Sequence, residues 1–269
     1  MSAAGTTGES LRVRHEGGAA FLAIDRPDAL NALDWATKQA LLAALRDAAA
    51  DETVRAVAIT GRGRAFCVGE DLRELRGAYQ SGRPPELGET LERHYGPIVQ
   101  LLADMPKPTV ALVNGVAAGA GASLALACDL RLASSAASFK LAFSGVGLVP
   151  DAGATWNLPR LVGLSSALRM ALLDDAVKAE EALALGLVSR VFPAEEFERL
   201  AAGTVSAIAA GPTLAHASAK ALLRAGLQTD LAGALDAEAA AQRAAGQTKD
   251  HLEGVTAFVE KRAPRFQGA

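Results

Sequence analysis

The chain of 269 residues is poor in aromatics (4%), has two cysteines and four histidines, and contains no long uninterrupted apolar run. Each scarcity excludes something. Without some twenty consecutive apolar residues, the sequence offers no candidate transmembrane helix. Met1–Glu9 lacks the basic and apolar regions of a secretory signal, so a cytoplasmic location is expected. Cys67 and Cys128 stand in no CxxC or Cys/His spacing and read as free thiols, which leaves no metal site to propose. His15, His94, His216 and His251 are scattered, and Ser144-Gly145 is not a GxSxG elbow, so no Ser-His-Asp order is suggested. A net charge of −3, with both signs interspersed, points away from nucleic acid and membrane surfaces.

What the chain has is hydrophobic and small. Half of its residues are hydrophobic, enough for one large core, and the abundant alanine predicts helices packed closely on small side chains. Leu11 and Val13 alternate with polar residues, Gly17-Gly18 turns, and Ala19–Ile24 returns as a strand. Asp34 reads as the N-cap of a helix near Trp35–Ala49, with Leu41, Leu42 and Leu45 on one face. Strands are expected at Val54–Thr60, Thr109–Val113, Leu130–Ala133 and Val188–Phe192. Helices are expected near Glu89–Met105 and at Ser123–Ala127. Beyond Ala194 the pattern is helical throughout: Glu195–Ala210, Pro212–Ala225, Asp230–Ala245 and Asp250–Lys261. The expected division is a flexible N-terminus (1–10), an α/β core (11–193) and a helical C-terminal region (194–269). Leu75–Gly88, rich in glycine, proline and charge, reads as a mobile loop.

Two stretches carry chemical promise. In Asn114-Gly115-Val116-Ala117-Ala118-Gly119-Ala120-Gly121-Ala122-Ser123, small side chains leave backbone N–H groups open to a ligand oxygen. No Lys-Ser/Thr follows and the spacing is not GxGxxG, so neither a phosphate loop nor a dinucleotide fingerprint fits; tight helix–sheet packing is the alternative. In Gly147-Leu148-Val149-Pro150-Asp151-Ala152-Gly153, Asp151 is the only carboxylate between Asp129 and Asp174. It reads either as a turn or capping residue, or as an acid whose pKa is raised among Phe143, Val146, Leu148, Val149 and Trp156. A further strand–turn–helix junction, Ala65-Phe66-Cys67-Val68-Gly69-Glu70-Asp71-Leu72, is either an ordinary capped helix start or a second N–H donor.

Taken together with Asp25-Arg26-Pro27, Leu30-Asn31-Ala32-Leu33, Pro106-Lys107-Pro108 and Ala257-Phe258-Val259-Glu260-Lys261-Arg262, these motifs resemble the crotonase superfamily of enoyl-CoA hydratases and isomerases. The resemblance implies a crotonase-like α/β spiral of ββα units, with a C-terminal helical region that trimerises into a homotrimer or a dimer of trimers. It also implies acyl-CoA thioester substrates, no metal or redox cofactor, and an oxyanion hole from the backbone N–H groups of Glu70 and Ala120. Leu30, Ala32, Cys67, Asp71, Leu72 and Gly119 lie in the matching motifs and join the substrate-binding set. Arg26 and Arg73 are candidates for the CoA phosphates, with Phe258 and Lys261 supplied by a neighbouring subunit and Phe143 and Trp156 as apolar walls. Ser123 and Phe143 stand where hydratases of the family carry two glutamates, which leaves Asp151 as the expected acid/base. The text around Asp151, with Pro84-Pro85-Glu86-Leu87-Gly88, is similar to ring-1,2-epoxyphenylacetyl-CoA isomerases of phenylacetate degradation. Isomerisation is therefore the expected activity; hydration, or a catalytically silent acyl-CoA-binding scaffold, are the rivals.

Overall fold

The computed structural model describes residues 7–8, 10–82 and 85–269. Most of the N-terminal segment expected to be flexible, and Arg83 and Pro84 of the expected loop, lie outside the described residues. The larger sheet has seven strands in the order β1 (Thr7–Gly8), β2 (Leu11–Glu16), β3 (Ala19–Ile24), β4 (Ala56–Gly61), β6 (Thr109–Val113), β8 (Leu130–Ser134) and β11 (Arg190–Phe192). β1 to β3 are antiparallel; from β3 onward every pairing is parallel. A smaller sheet runs β10 (Val177–Lys178), β9 (Ser138–Lys140), β7 (Val116–Ala118) and β5 (Ala65–Cys67).

The inner strands of the larger sheet are covered on both faces, which explains why they read as continuous apolar runs. Ala20, Leu22 and Ile24 of β3 enter the main core, whereas Ala19 and Phe21 enter a second one. β4 repeats the alternation with Val57 and Ile59 against Ala56 and Ala58, as period-two geometry requires. Helix α1 (Trp35–Ala50), capped by Asp34, buries Leu41, Leu42 and Leu45 in the main core. α2 (Leu72–Gln80), α3 (Leu87–Thr90) and α4 (Gly96–Asp104) follow, then α5 (Ala120–Ala127), α6 (Ala154–Leu172) and α7 (Ala179–Ala184). α8 (Phe197–Ala209) closes the second core, and α9 (Thr213–Gly226), α10 (Leu231–Ala245) and α11 (Lys249–Val259) extend beyond it. Lys220 and Arg224 of α9 both pair with Asp129, fastening that helix to the core. None of the described helices is long and apolar enough to cross a membrane.

Two expectations need correction. Leu75–Gly88 is not a loop throughout: Leu75–Gln80 continues α2, and Leu87 starts α3. Asp71 accepts from the N–H groups of Arg73 and Glu74, and this cap drives the helix into a glycine- and charge-bearing segment. The expected single helix over Glu89–Met105 is interrupted by a π-helical turn at Leu91–Tyr95, a local widening that leaves little trace in side-chain periodicity.

Candidate functional site

The site begins with Asn31. This fully buried residue takes a left-handed φ of 59°, and its side chain binds the Arg26 N–H and the carbonyls of Arg62 and Ala65. The loop so held brings Leu33 alongside Glu70: the Leu33 N–H donates to Gly69 O (2.7 Å), and the Asp71 N–H donates to Leu33 O (3.2 Å). With both flanking peptides turned toward Leu33, strand alternation turns the Glu70 N–H the other way. There it meets no backbone or side-chain acceptor among the described residues.

Opposite stands the glycine turn. Gly69 has φ +87°, and a Cβ on it would lie 2.8 Å from the Ala120 nitrogen, so only glycine permits this approach. Gly119, also left-handed, precedes Ala120, the first residue of α5. The Ala120 N–H is therefore one of the unpaired donors of a helix start, favoured by the helix dipole for negative charge. Both residues with unpaired N–H groups thus flank the Gly69 contact.

They open into a cavity of about 220 Å³ lined by Val68, Leu72, Leu75, Leu87, Leu91, Phe143, Val146, Leu148 and Val149, with Glu70, Tyr95, Gly119, Ala120 and Asp151. Asp151 caps no helix. α6 starts from Gly153, the Asp151 side chain accepts no hydrogen bond among the described residues, and its Oδ1 is buried without a partner. Burial, reinforced by the negative charge of Glu70, pushes its pKa up to about 6. That range suits a group that must both take and return a proton.

The Glu70 side chain is the feature that sequence reading missed. Its Oε1 meets Lys38 Nζ at 2.5 Å and its Oε2 accepts from the Tyr95 hydroxyl at 2.7 Å. Lys38 and Tyr95 are both almost fully buried. A signal existed for Lys38, which falls on the same stripe of α1 as Leu41, Leu42 and Leu45; a cation there demands an anion. Tyr95 gave none, because the π-helical turn that aims it is not readable from spacing. Asp151 is thus not the only carboxylate at the cavity, as the absences at positions 123 and 143 had suggested.

The chain matches the family described as enoyl-CoA hydratase/isomerase over residues 14–269. The chain belongs to this family. It is 42% identical over 259 residues to a Rhodobacter capsulatus protein named "Probable enoyl-CoA hydratase", covering 96% of this chain and 98% of that one. It is 40% identical to the 1,2-epoxyphenylacetyl-CoA isomerase of Escherichia coli K12, covering 94% and 96%. The crystal structure of an enoyl-CoA hydratase from Bacillus anthracis superimposes with a TM-score of 0.88 at 32% identity, covering 97% of this chain and all of that one. The fold is the crotonase fold, with parallel sheets and C-terminal helices.

Within this family framework the expected site residues divide. Glu70, Ala120, Asp151, Leu72, Gly119 and Phe143 share the cavity. Trp156 does not line it: its ring stacks under Arg160, 4.1 Å away, because α6 has already turned that face outward. Cys67 is fully buried in β5 behind the cavity, and burial pushes its thiol up to about 12. Leu30 and Ala32 belong to the Asn31 loop and do not reach the wall. Arg26 is committed to Asp34 and Asp71 (3.0 and 2.9 Å) and to Ala32 O, while Arg73 is exposed. Although burial alone would raise the Asp71 carboxyl, its bonds from Arg26 and two backbone N–H groups hold it below the usual range. Phe258 is exposed on α11 and Lys261 lies in the turn just beyond it, and neither lines this cavity. Ser123 is buried in α5, with its hydroxyl turned back to Gly119 O.

Proposed function

We propose that the protein is an enoyl-CoA isomerase that moves a double bond along the acyl chain of a CoA thioester. The observation that carries this reading is Asp151: a half-buried carboxylate whose buried Oδ1 has no partner, in an apolar cavity beside two free N–H donors. The thioester carbonyl sits between the Glu70 and Ala120 N–H groups. Asp151 takes a proton from C2 of a 3-enoyl thioester, and the electron pair spreads onto the thioester oxygen as a dienolate. The C2=C3 bond then forms as the same proton returns to C4, so no atom is gained or lost. Each N–H donor contributes about 3 kcal/mol where it strengthens as oxygen becomes anionic. The apolar lining keeps water from the dienolate, and no metal or redox cofactor enters the scheme. Rearrangement of a ring-epoxide acyl-CoA, the substrate type in the name of the Escherichia coli relative, is the alternative isomerisation for the same site.

Glu70 offers the rival hydration reading a second carboxylate, but both of its oxygens are already engaged by Lys38 and Tyr95. The test pairs two substrates, a 3-enoyl-CoA and crotonyl-CoA. Migration of the double bond in the first, lost by two or more orders of magnitude in Asp151→Asn with CoA binding retained, is the expected result. Fast hydration of crotonyl-CoA without migration would overturn it, as would isomerisation undiminished in Asp151→Asn, and acyl-CoA binding with no turnover of either substrate would favour a non-catalytic scaffold. A cytoplasmic homotrimer or dimer of trimers, with Arg73 and a neighbour's Phe258 and Lys261 meeting the CoA, completes the proposal.

A further inference from the structure

We infer that Glu70 is a positioning residue: its carboxylate, pinned by Lys38 and Tyr95 at the cavity wall, controls how tightly Asp151 holds the proton it shuttles. The inference rests on the reading of Asp151 as the acid/base.

Three observations carry it. First, the pin is two-sided, with Lys38 of α1 on one oxygen and Tyr95 of the π-helical turn on the other. Each comes from a different element, so the carboxylate cannot swing away without leaving a buried ammonium and a buried hydroxyl unpaired. Second, Glu70 lines both the acyl cavity and a neighbouring, more polar cavity of about 320 Å³ that also touches Lys38, Glu74, Glu86, Glu89 and Arg93. It is the charged partition between them. Third, no other charged group among the described residues faces Asp151 across the acyl cavity. The glycine turn brings none, the Phe143–Val149 loop brings none, α2 and α3 bring none, the β5–α2 turn brings Glu70, and the π-helical turn brings Tyr95. On α6, which follows Asp151, the first charged side chain is Arg160, stacked on Trp156 outside the cavity.

A fixed anion in a low-dielectric cavity disfavours a second negative charge there. For a one-base shuttle this has a use. The proton taken from C2 must stay on Asp151 until C4 accepts it, and a neighbouring anion makes its loss to solvent less favourable. Burial raises the proton affinity of Asp151 in the same direction, and Glu70 adds to it.

The experiment compares Glu70→Gln and the double variant Lys38→Met/Glu70→Gln with the unaltered protein. The double variant avoids the unpaired ammonium that could unfold the single one, and circular dichroism checks both. Two readouts are taken: the acid limb of kcat/KM for 3-enoyl-CoA isomerisation, and the titration of ¹³C-labelled aspartate carboxyls in the unliganded protein, with the Asp151 signal assigned through Asp151→Asn. The expected result is a midpoint for Asp151 lower by roughly half a pH unit or more in both variants. A second expectation is a smaller fraction of deuterium carried from C2 to C4. An unchanged or raised midpoint in the folded variants overturns the inference. Asp151→Asn separates the two levels: if that variant still isomerises, the acid/base reading fails. If it is inactive while the midpoint stays put, only the role of Glu70 fails.

Discussion

At the scale of single residues, Asp151 links function to stability with an unusual sign. Its carboxyl rises from 3.8 to about 6 on folding, because burial disfavours the charged form. The native state therefore holds the proton more tightly than the unfolded chain. Below pH 3.8 both forms are neutral and the group is without effect. Stability then falls as pH rises toward 6, and above 6 the loss is complete. The full shift caps the loss at about 3 kcal/mol, and the partial solvent access of the site reduces it to the order of 1–2 kcal/mol. Asp151→Asn is thus expected to be inactive yet to melt a few degrees higher at pH 7.5, with the gain vanishing near pH 4. Thermal melts at both pH values check this, and a gain that persists at pH 4 would mean that charge burial is not its cause. Lys38 shows the opposite balance: Lys38→Met alone frees the half-buried Glu70 from its cation and is expected to destabilise the fold by about 1–3 kcal/mol, less than removing one member of a fully buried pair. Urea midpoints measure it, and restoration in the Lys38→Met/Glu70→Gln double variant identifies the unpaired charge as the source.

At the scale of elements, the site depends on one close crossing, where the β5–α2 turn touches the start of α5. Gly69 permits the approach of Ala120, and at Gly121 an added Cβ would fall on the Cys67 carbonyl. Gly121→Ala must push α5 away from β5, which overpacking costs put at about 1–3 kcal/mol. Gly69→Ala adds a strained φ to its clash and moves the two N–H donors apart, so kcat is expected to drop by two or more orders of magnitude with a smaller change in KM. Steady-state kinetics on the folded variant decide between this and a mere loss of protein. Small residues in the turn were visible in the sequence, and so was the choice between packing and donor; the structure shows the close packing, with the Ala120 N–H left unpaired at the same contact, and the donor role remains part of the proposed function. The larger sheet was equally legible, because strands such as Thr109–Val113 are buried on both faces and carry unbroken apolar runs. Of the smaller sheet only β5 was legible, as the strand ahead of the Gly69 turn; the rest was not, since strands of two or three residues hold no periodicity to read. Nor was α6, whose Pro159 and the break at Gly163 mask its helical pattern. Trp156 was misplaced for the same reason, because its direction depends on where α6 begins. Glu70 was noticed only for its N–H, since the partners that aim its carboxylate are 32 residues upstream and 25 downstream.

At the scale of the whole molecule, the C-terminal helices leave a surface that one chain does not cover. Leu223 and Leu231 are 75% exposed, and Leu227 and Leu235 more than half. On α11, Phe258 is 85% exposed and Val259 nearly as much. Apolar exposure on this scale on α9, α10 and α11 is what the proposed subunit interface would need to bury. Burying each leucine contributes about 1.5–3 kcal/mol. In a closed ring of identical chains every substitution recurs at every interface, so two changes per chain weigh several times over. Leu223→Glu/Leu231→Glu is accordingly expected to convert a particle of three or six chains into single chains, read by light scattering across a dilution series, with a melting temperature that depends on concentration only in the unaltered protein. The same separation tests the reach of the C-terminal helices. If a neighbour's Phe258 and Lys261 meet the CoA, the dissociated variant keeps its cavity and its Asp151 yet binds acyl-CoA at least tenfold more weakly, a loss of about 1.4 kcal/mol. Unchanged affinity in a variant shown to be a single chain would place the whole CoA site within one subunit, and an unchanged particle mass would move the interface off α9 and α10.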